Sequence, residues 1–253
     1  MKIMDKFHIR IIHRKMEENR MTEAKSAKKV KQPVIEYNGR KYLRIPVKTH
    51  VITKDDNIVD VVKKYVQETV QEKDVVFISE KAVAITQGRA YPMSEIKPRP
   101  LAKLLSHYVT KTPSGIGLGI PETMEMALRE CGVMRILFAA VVSFFSKLIG
   151  RKGDFYRVAG YKASSIDGPT PNTLPPYNKY VVLGPADPDQ VAKRISENIK
   201  AEVAIVDIND LGGNILGTSK PSLDRKTLVG ILRDNPLGQC SEQTPMGIIR
   251  DAE

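Results

Sequence analysis

The sequence is poor in the residues that build metal or disulfide frameworks. Its two cysteines, Cys131 and Cys240, stand far apart and outside any CxxC pair, and its four histidines do not cluster. That usage excludes a zinc finger or ribbon and a disulfide scaffold, and it suits a reducing, cytoplasmic setting. The N-terminus lacks the apolar centre of a signal peptide. Long hydrophobic runs are missing too. The most apolar segment, 133–149, is cut by Arg135 and Lys147, and the 11 uncharged residues between them fall far short of the roughly 20 that a spanning helix needs. A soluble protein with no membrane partner is expected. No repeat of solenoid-like period is present. The glycine-rich stretch 112–121 (TPSGIGLGIP) is not a dinucleotide fingerprint, because the third glycine of GxGxxG falls on Ile120 and a helix precedes the loop.

A chain of 253 residues holds one large domain or two small ones. Its net charge of +11 is unevenly placed: residues 1–32 carry ten Lys or Arg against four Asp or Glu, which leaves the remainder near +5. These residues have few large apolar side chains after Ile12 and read as a basic arm over 1–33, disordered or frayed, with Met21 a second candidate initiator. The arm has no interleaved aromatics, and no nucleic-acid-binding motif accompanies it, so nucleic acid is not an expected partner. Because its charge is uncoupled from any apolar pattern, deleting residues 1–20 is expected to leave the thermal midpoint unchanged. A drop of several degrees would show that the arm packs on the body.

The body, 34–253, divides by composition into 34–180 and 181–253. Lys41 to Ile52 has strand character, with Pro46 marking an edge or bend. Asp55, Asp56 and Asn57 open a helix with Ile58, Val61, Val62, Tyr65 and Val66 on one face. Asp74 to Ser79 is a buried strand. A helix after Pro100 is expected to turn Leu101, Leu104, Leu105 and Tyr108 inward. Another starts at Pro121 with Met124, Ala127, Leu128 and Cys131 inward. Strand and loop are expected from Gly153 to Tyr180. A short strand over 181–183 precedes a helix capped by Asp187, with Pro188 first and Gln190 third. That helix, striped by Val191, Ile195 and Ile199, feeds the strand Val203 to Val206.

That last strand runs into Asp207, Asn209, Asp210 and the pair Gly212-Gly213. Oxygen-bearing side chains on a glycine-flexed turn beyond a buried strand suit a hard cation or a phosphate, although Asp and Asn before Gly are also ordinary turn formers. An EF-hand is excluded, since positions five and twelve counted from Asp207 are Leu211 and Thr218. A second polar loop gathers Asp234, Asn235, Gln239, Glu242 and Gln243 around Pro236, Gly238 and Pro245.

The stretches ISEKAVAITQGRAYP from Ile78, VAIVDINDLGGNILG from Val203 and PMGIIR from Pro245 resemble, in that order, the gamma-glutamyl ligases that add glutamate to the deazaflavin coenzyme F-420. The resemblance covers roughly Lys41 to Arg250. It implies an α/β (mixed α+β) fold, an intertwined homodimer, and an amide ligase using GTP with Mg²⁺ or Mn²⁺. The acceptor carboxylate would be activated as an acyl phosphate and attacked by L-glutamate. Carried across, the resemblance places nucleotide contacts at Thr49, His50, Val51, Ile52, Ser79, Glu80 and Asp210 and a metal ligand at Asp207. The pattern departs in two places. Where the family has a second acidic metal pair, this chain has Lys226 to Leu228, and where it has a nucleotide-binding lysine, Ile85 stands. Asp224, Asp234 or Glu242 would then supply the missing charge, with Glu242 the chosen second metal ligand. A divergent branch using folate-type acceptors, or a non-catalytic nucleotide- or metal-binding paralogue, fits the same departures.

Overall fold

Asn38 and Gly39 both hold positive φ (52° and 74°), the backbone a two-residue hairpin turn requires. They join β1 (Val34–Tyr37) to β2 (Arg40–Val47). The structure, a computed structural model, describes residues 31–109, 116–151, 153–171, 173–209, 212–238 and 242–252. Residues 1–30 of the basic arm, 112–115 of the glycine-rich loop, Asp210 and Cys240 lie outside the described residues.

Among the described residues the remaining strands are β3 (Val75–Ser79), β4 (Ala90–Pro92), β5 (Tyr180–Val182), β6 (Glu202–Asn209), β7 (Gly212–Thr218) and β8 (Met246–Asp251). The α-helices are α1 (Ile58–Val66), α2 (Glu80–Thr86), α3 (Pro100–His107), α4 (Pro121–Cys131), α5 (Val133–Leu148), α6 (Asp154–Ala159), α7 (Tyr161–Ser164), α8 (Pro188–Ile199) and α9 (Arg225–Leu232). This is a mixed α+β fold. Six strands form one sheet in the order β1-β2-β8-β3-β6-β7, and β4 pairs with β5 in a second, two-stranded sheet. Within the large sheet β3 and β6 are parallel, and the other neighbours are antiparallel.

Both faces of the central strands are covered, and their alternation divides the core. Val76, Ile78, Val203 and Ile205 face a cluster built with α1, α2 and α8. Phe77, Ala204 and Val206 face the other way, against Leu228, Ile231 and Leu232 of α9. A third cluster joins α3 to α7 with the small sheet, around Leu118, Met124, Leu128, Ile136 and Val181. Pro46 is tolerated because β1 pairs only as far as Leu43, so among the described residues no strand pairs with the end of β2 on that side. The order β5, α8, β6 is present, with β5 in the small sheet and β6 beside β3 in the large one.

Three local expectations fail in whole or in part. Along α3, Leu101 and Leu105 pack against the third cluster as expected, but the fully buried residues are Ala102 and Ser106, and Leu104 and Tyr108 are exposed. The inward arc of that helix is centred on its two small side chains, which lets it seat closely on α4. Residues 153–180 contain α6 and α7, which Gly153 and Gly160, both at positive φ, separate into pieces too short to show a helical period. Asp187 precedes α8 in the left-handed region and makes no side-chain cap. Asp189 does the tethering there, accepting from Thr218 N (2.8 Å) and from Arg225 (2.8 Å). A Cβ on Gly217 would meet the Pro188–Asp189 backbone at 2.3–2.5 Å, so β7 and α8 approach closely only because that residue is glycine.

Candidate functional site

Parallel register decides what meets at one end of the large sheet. Ser79 of β3 pairs with Val206 of β6, so Glu80, which opens α2, and Asp207 come side by side. Asp207 does not sit on a turn as the sequence suggests: β6 continues to Asn209, with Asp207 opposite Asn214 of β7, because Gly212 and Gly213 extend the antiparallel pairing. The C-terminus of β2 and the N-terminus of β8 reach the same end through the pair Val47–Met246. Beyond that pair, Thr49 N donates to Gln243 O (3.1 Å), Gln243 Nε2 donates to Thr49 O (2.8 Å) and Ser79 N donates to Pro245 O (2.8 Å). The loop Thr49–Ile52 is fixed on its other side as well. Tyr65 Oη accepts from His50 N (3.1 Å), His50 Nε2 lies 3.0 Å from Asp56 Oδ1, and Tyr177 Oη donates to Ile52 O (2.7 Å). The Thr53 N–H donated to Asp56 holds that carboxyl below its usual range, with His50 adding to the effect. Thr49, His50, Val51, Ile52, Ser79, Glu80 and Asp207 are therefore brought to one sheet end, while Asp210 lies outside the described residues.

The electrostatics of this sheet end centre on Glu80, at the start of α2 and only 6% exposed. Burial pushes its carboxyl well above the ordinary range, and the charges of Asp207 and Asp167 push it further, against a partial offset from Lys81. Asp207, half-buried, is likewise raised by burial and then by Asp167. Tyr161 donates its hydroxyl to Glu80 Oε2 (3.3 Å), and burial beside that carboxylate raises the phenol well above its usual range. Lys81 Nζ pairs with Asp167 Oδ2 at 2.8 Å. The Asp167 backbone is held by reciprocal bonds with Val182 of β5 (2.8 and 3.0 Å). A Cβ on Gly184, just past that bridge, would fall 2.2 Å from Ser165 Oγ, so close packing there also requires glycine. The register of β6 against β7 shifts between Ile205 and Val206, an irregularity that sharpens the local twist just before Asp207.

Asp207 and Asp167 raise Glu80, and Asp167 raises Asp207, so this sheet end gathers more carboxylates than the single Lys81 beside them balances. Among the described residues no three His, Cys, Asp or Glu side chains gather closely enough to hold a metal ion unaided. Glu80 and Asp207 fit a different site, of the Mg²⁺ type, where one or two carboxylates suffice because phosphates and water supply the other oxygens.

A pH prediction follows for the chain without nucleotide or metal. A carboxyl whose folded pKa is raised contributes stability fully present below its unfolded value, near 4.5 for Glu80, and lost as pH rises through the raised value. Each unit of separation is about 1.4 kcal/mol. The melting temperature of the wild type should therefore fall relative to that of Glu80→Gln as pH rises above 4.5. A constant offset across that range would show that Glu80 ionises as freely as a surface glutamate.

The other carboxylates named from the sequence have placements of their own. Asp224 caps α9 through Lys226 N (3.0 Å) and Thr227 Oγ1 (2.6 Å). It follows β7, which ends where antiparallel β6 begins, at the far end of the sheet. A cavity of about 400 Å³ opens at that far end, between Arg40, Lys73, Asp224 and Asp251, away from Glu80 and Asp207. Asp234 pairs with the buried Arg44 of β2. Glu242 reaches the correct sheet end in sequence, next to Gln243, with its carboxyl packed over Gly238, where an added Cβ would lie 2.6 Å from Glu242 Cδ. Ile85 is buried in the core. Sequence reasoning missed Asp167, Tyr161 and the role of Lys81. Asp167 stands before Gly168, where a turn is the natural reading.

A model of the F420-0:gamma-glutamyl ligase family matches residues 46–216. The match spans well over half of the chain and contains Thr49–Ile52, Ser79, Glu80, Lys81, Asp167 and Asp207. Comparison with the curated proteins finds no match. With the spacing of these loops and their arrangement at one sheet end, the family match establishes that this chain belongs to the F420-0:gamma-glutamyl ligases.

Proposed function

We propose that the chain joins the amine of L-glutamate to a carboxylate of an acidic acceptor, the deazaflavin precursor F420-0, at the expense of GTP and with Mg²⁺ or Mn²⁺. The observation that carries this reading is the adjacency of Glu80 and Asp207 just past the last pair of the parallel strands β3 and β6, beside the Lys81–Asp167 pair. In the first step a carboxylate oxygen of the acceptor bonds to the γ-phosphorus and the β–γ bridging bond breaks, releasing GDP and leaving an acyl phosphate. In the second the glutamate nitrogen bonds to the acyl carbon, the bond to phosphate breaks, and the amine loses a proton. A divalent ion held by Glu80 and Asp207 would gather phosphate oxygens and neutralise the charge that builds on them. Lys81 is placed to exchange Asp167 for a phosphate oxygen, and the braced Thr49–Ile52 loop supplies a rigid wall for the nucleotide. A homodimer is part of this reading, by family membership.

Incubation with GTP, MnCl₂, L-glutamate and F420-0, followed by mass spectrometry and a phosphate assay, tests it. The expected result is an F420-0 product enlarged by one glutamyl residue, with one phosphate released per product. Product formed from a folate-type pterin acid and not from F420-0 would overturn the acceptor, and no product with either would overturn the ligase reading.

A further inference from the structure

The third core cluster buries only one side of α5. Ile136 and Ala139 are fully inside, whereas Met134, Phe138, Val141, Phe145 and Leu148, spaced as one helical stripe, are each more than half exposed. Phe144 and Ile149 widen the stripe, and Leu104 and Tyr108 of α3 are exposed nearby, Lys147 Nζ donating to Tyr108 O (3.3 Å). Exposed apolar surface this continuous marks a site of interaction.

Charge identifies the partner. Residues 132–153 contain four Lys or Arg and no Asp or Glu, and α3 adds Lys103 and no acid. The acids that flank this stretch in sequence are already paired, Asp154 with Arg151 (3.2 Å) and Arg157, and Glu130 with Arg89 (2.7 Å) and Lys162 (3.5 Å). A second copy set against this face in a two-fold contact would bring the same cations together. An anionic bilayer offers both an apolar layer for the phenylalanines and phosphate headgroups for the basic rim. No helix among the described residues is long and apolar enough to cross a membrane. A helix lying in the interface needs no such length, so the short run that argues against spanning does not argue against docking. We propose that the exposed face of α5 docks this protein on anionic membrane surfaces, with Phe138 and Phe145 inserted among the lipids.

Flotation of the full-length chain with vesicles tests the proposal independently of ligase activity. Recovery should be high with phosphatidylglycerol-containing vesicles, low with pure phosphatidylcholine, and reduced by 0.5 M NaCl (roughly a 4 Å screening length). Phe138→Asp with Phe145→Asp, both at exposed positions, should lower binding at least tenfold with an unchanged thermal midpoint. Equal recovery of wild type and double variant would overturn the proposal. So would sedimentation showing a dimer that the double variant breaks while the wild type ignores vesicles, since the face would then be an interface between copies. Absence of vesicle binding by the wild type, whether monomer or dimer, would overturn it as well.

Discussion

Asp207→Asn should weaken metal-dependent GTP binding by tenfold or more, about 1.4 kcal/mol or above, and leave the protein folded. The substitution keeps the shape of the side chain and removes one charge from a half-buried group that burial and Asp167 already disfavour as an anion. It also lifts a charge that raises Glu80. Without metal the thermal midpoint should stay level or rise, because the cluster repels itself. Glu80→Gln should reproduce both effects. Isothermal titration of GTP with and without Mn²⁺, paired with thermal melts, separates the outcomes. If Asp207→Asn unfolds the chain, Asp207 is a structural residue of β6 and the acidic sheet end is not a ligand site. Glu242→Gln should match these losses only if its carboxyl leaves Gly238 to share the ion.

The largest stability loss is expected elsewhere. Arg44 lies in the middle of β2 with its side chain 1% exposed, donating to Ile231 O (3.0 Å) and forking onto Asp234 with its second nitrogen at 3.1 Å. Removing one partner of such a pair leaves a buried cation uncompensated, at a typical cost of about 3–5 kcal/mol. Asp234 is partly open to water, so Asp234→Ala should fall near the lower end, about 3 kcal/mol, read as a fall in the urea midpoint at constant slope. Combining Arg44→Leu with Asp234→Asn should recover much of the loss, because no buried charge is then orphaned. A cost for Asp234→Ala under about 1 kcal/mol would mean that the pair behaves like a surface salt bridge.

Much of the fold can be read from the chain because the central strands are short apolar runs bounded by charge or turn residues. Val75–Ile78 and Val203–Val206 are uniformly apolar because both of their faces are buried. Periodicity identifies α1 and α8 for the converse reason: one buried face and one wet one. It misleads in part on α3, where Leu101 and Leu105 pack inward but Leu104 and Tyr108 face out and Ala102 and Ser106 are the fully buried residues. The hairpin at Asn38-Gly39 was open to turn chemistry. For the site, the sequence locates Asp207 and Glu80 but says nothing of their adjacency, which depends on a parallel pairing between segments more than a hundred residues apart. Asp167 and Tyr161 carry no local signature. Their place is set by the bridge to β5 and by the hydroxyl reaching Glu80, both tertiary facts.

Calorimetric titration of GTP into the metal-free protein, repeated with Mn²⁺ present, tests the central claim most directly. Saturable GTP binding that requires Mn²⁺, and that weakens at least tenfold in both Glu80→Gln and Asp207→Asn, is the predicted result. Equal binding with and without the ion, or no binding of GTP or ATP up to millimolar concentration, would contradict the assignment of this sheet end as the nucleotide and metal site.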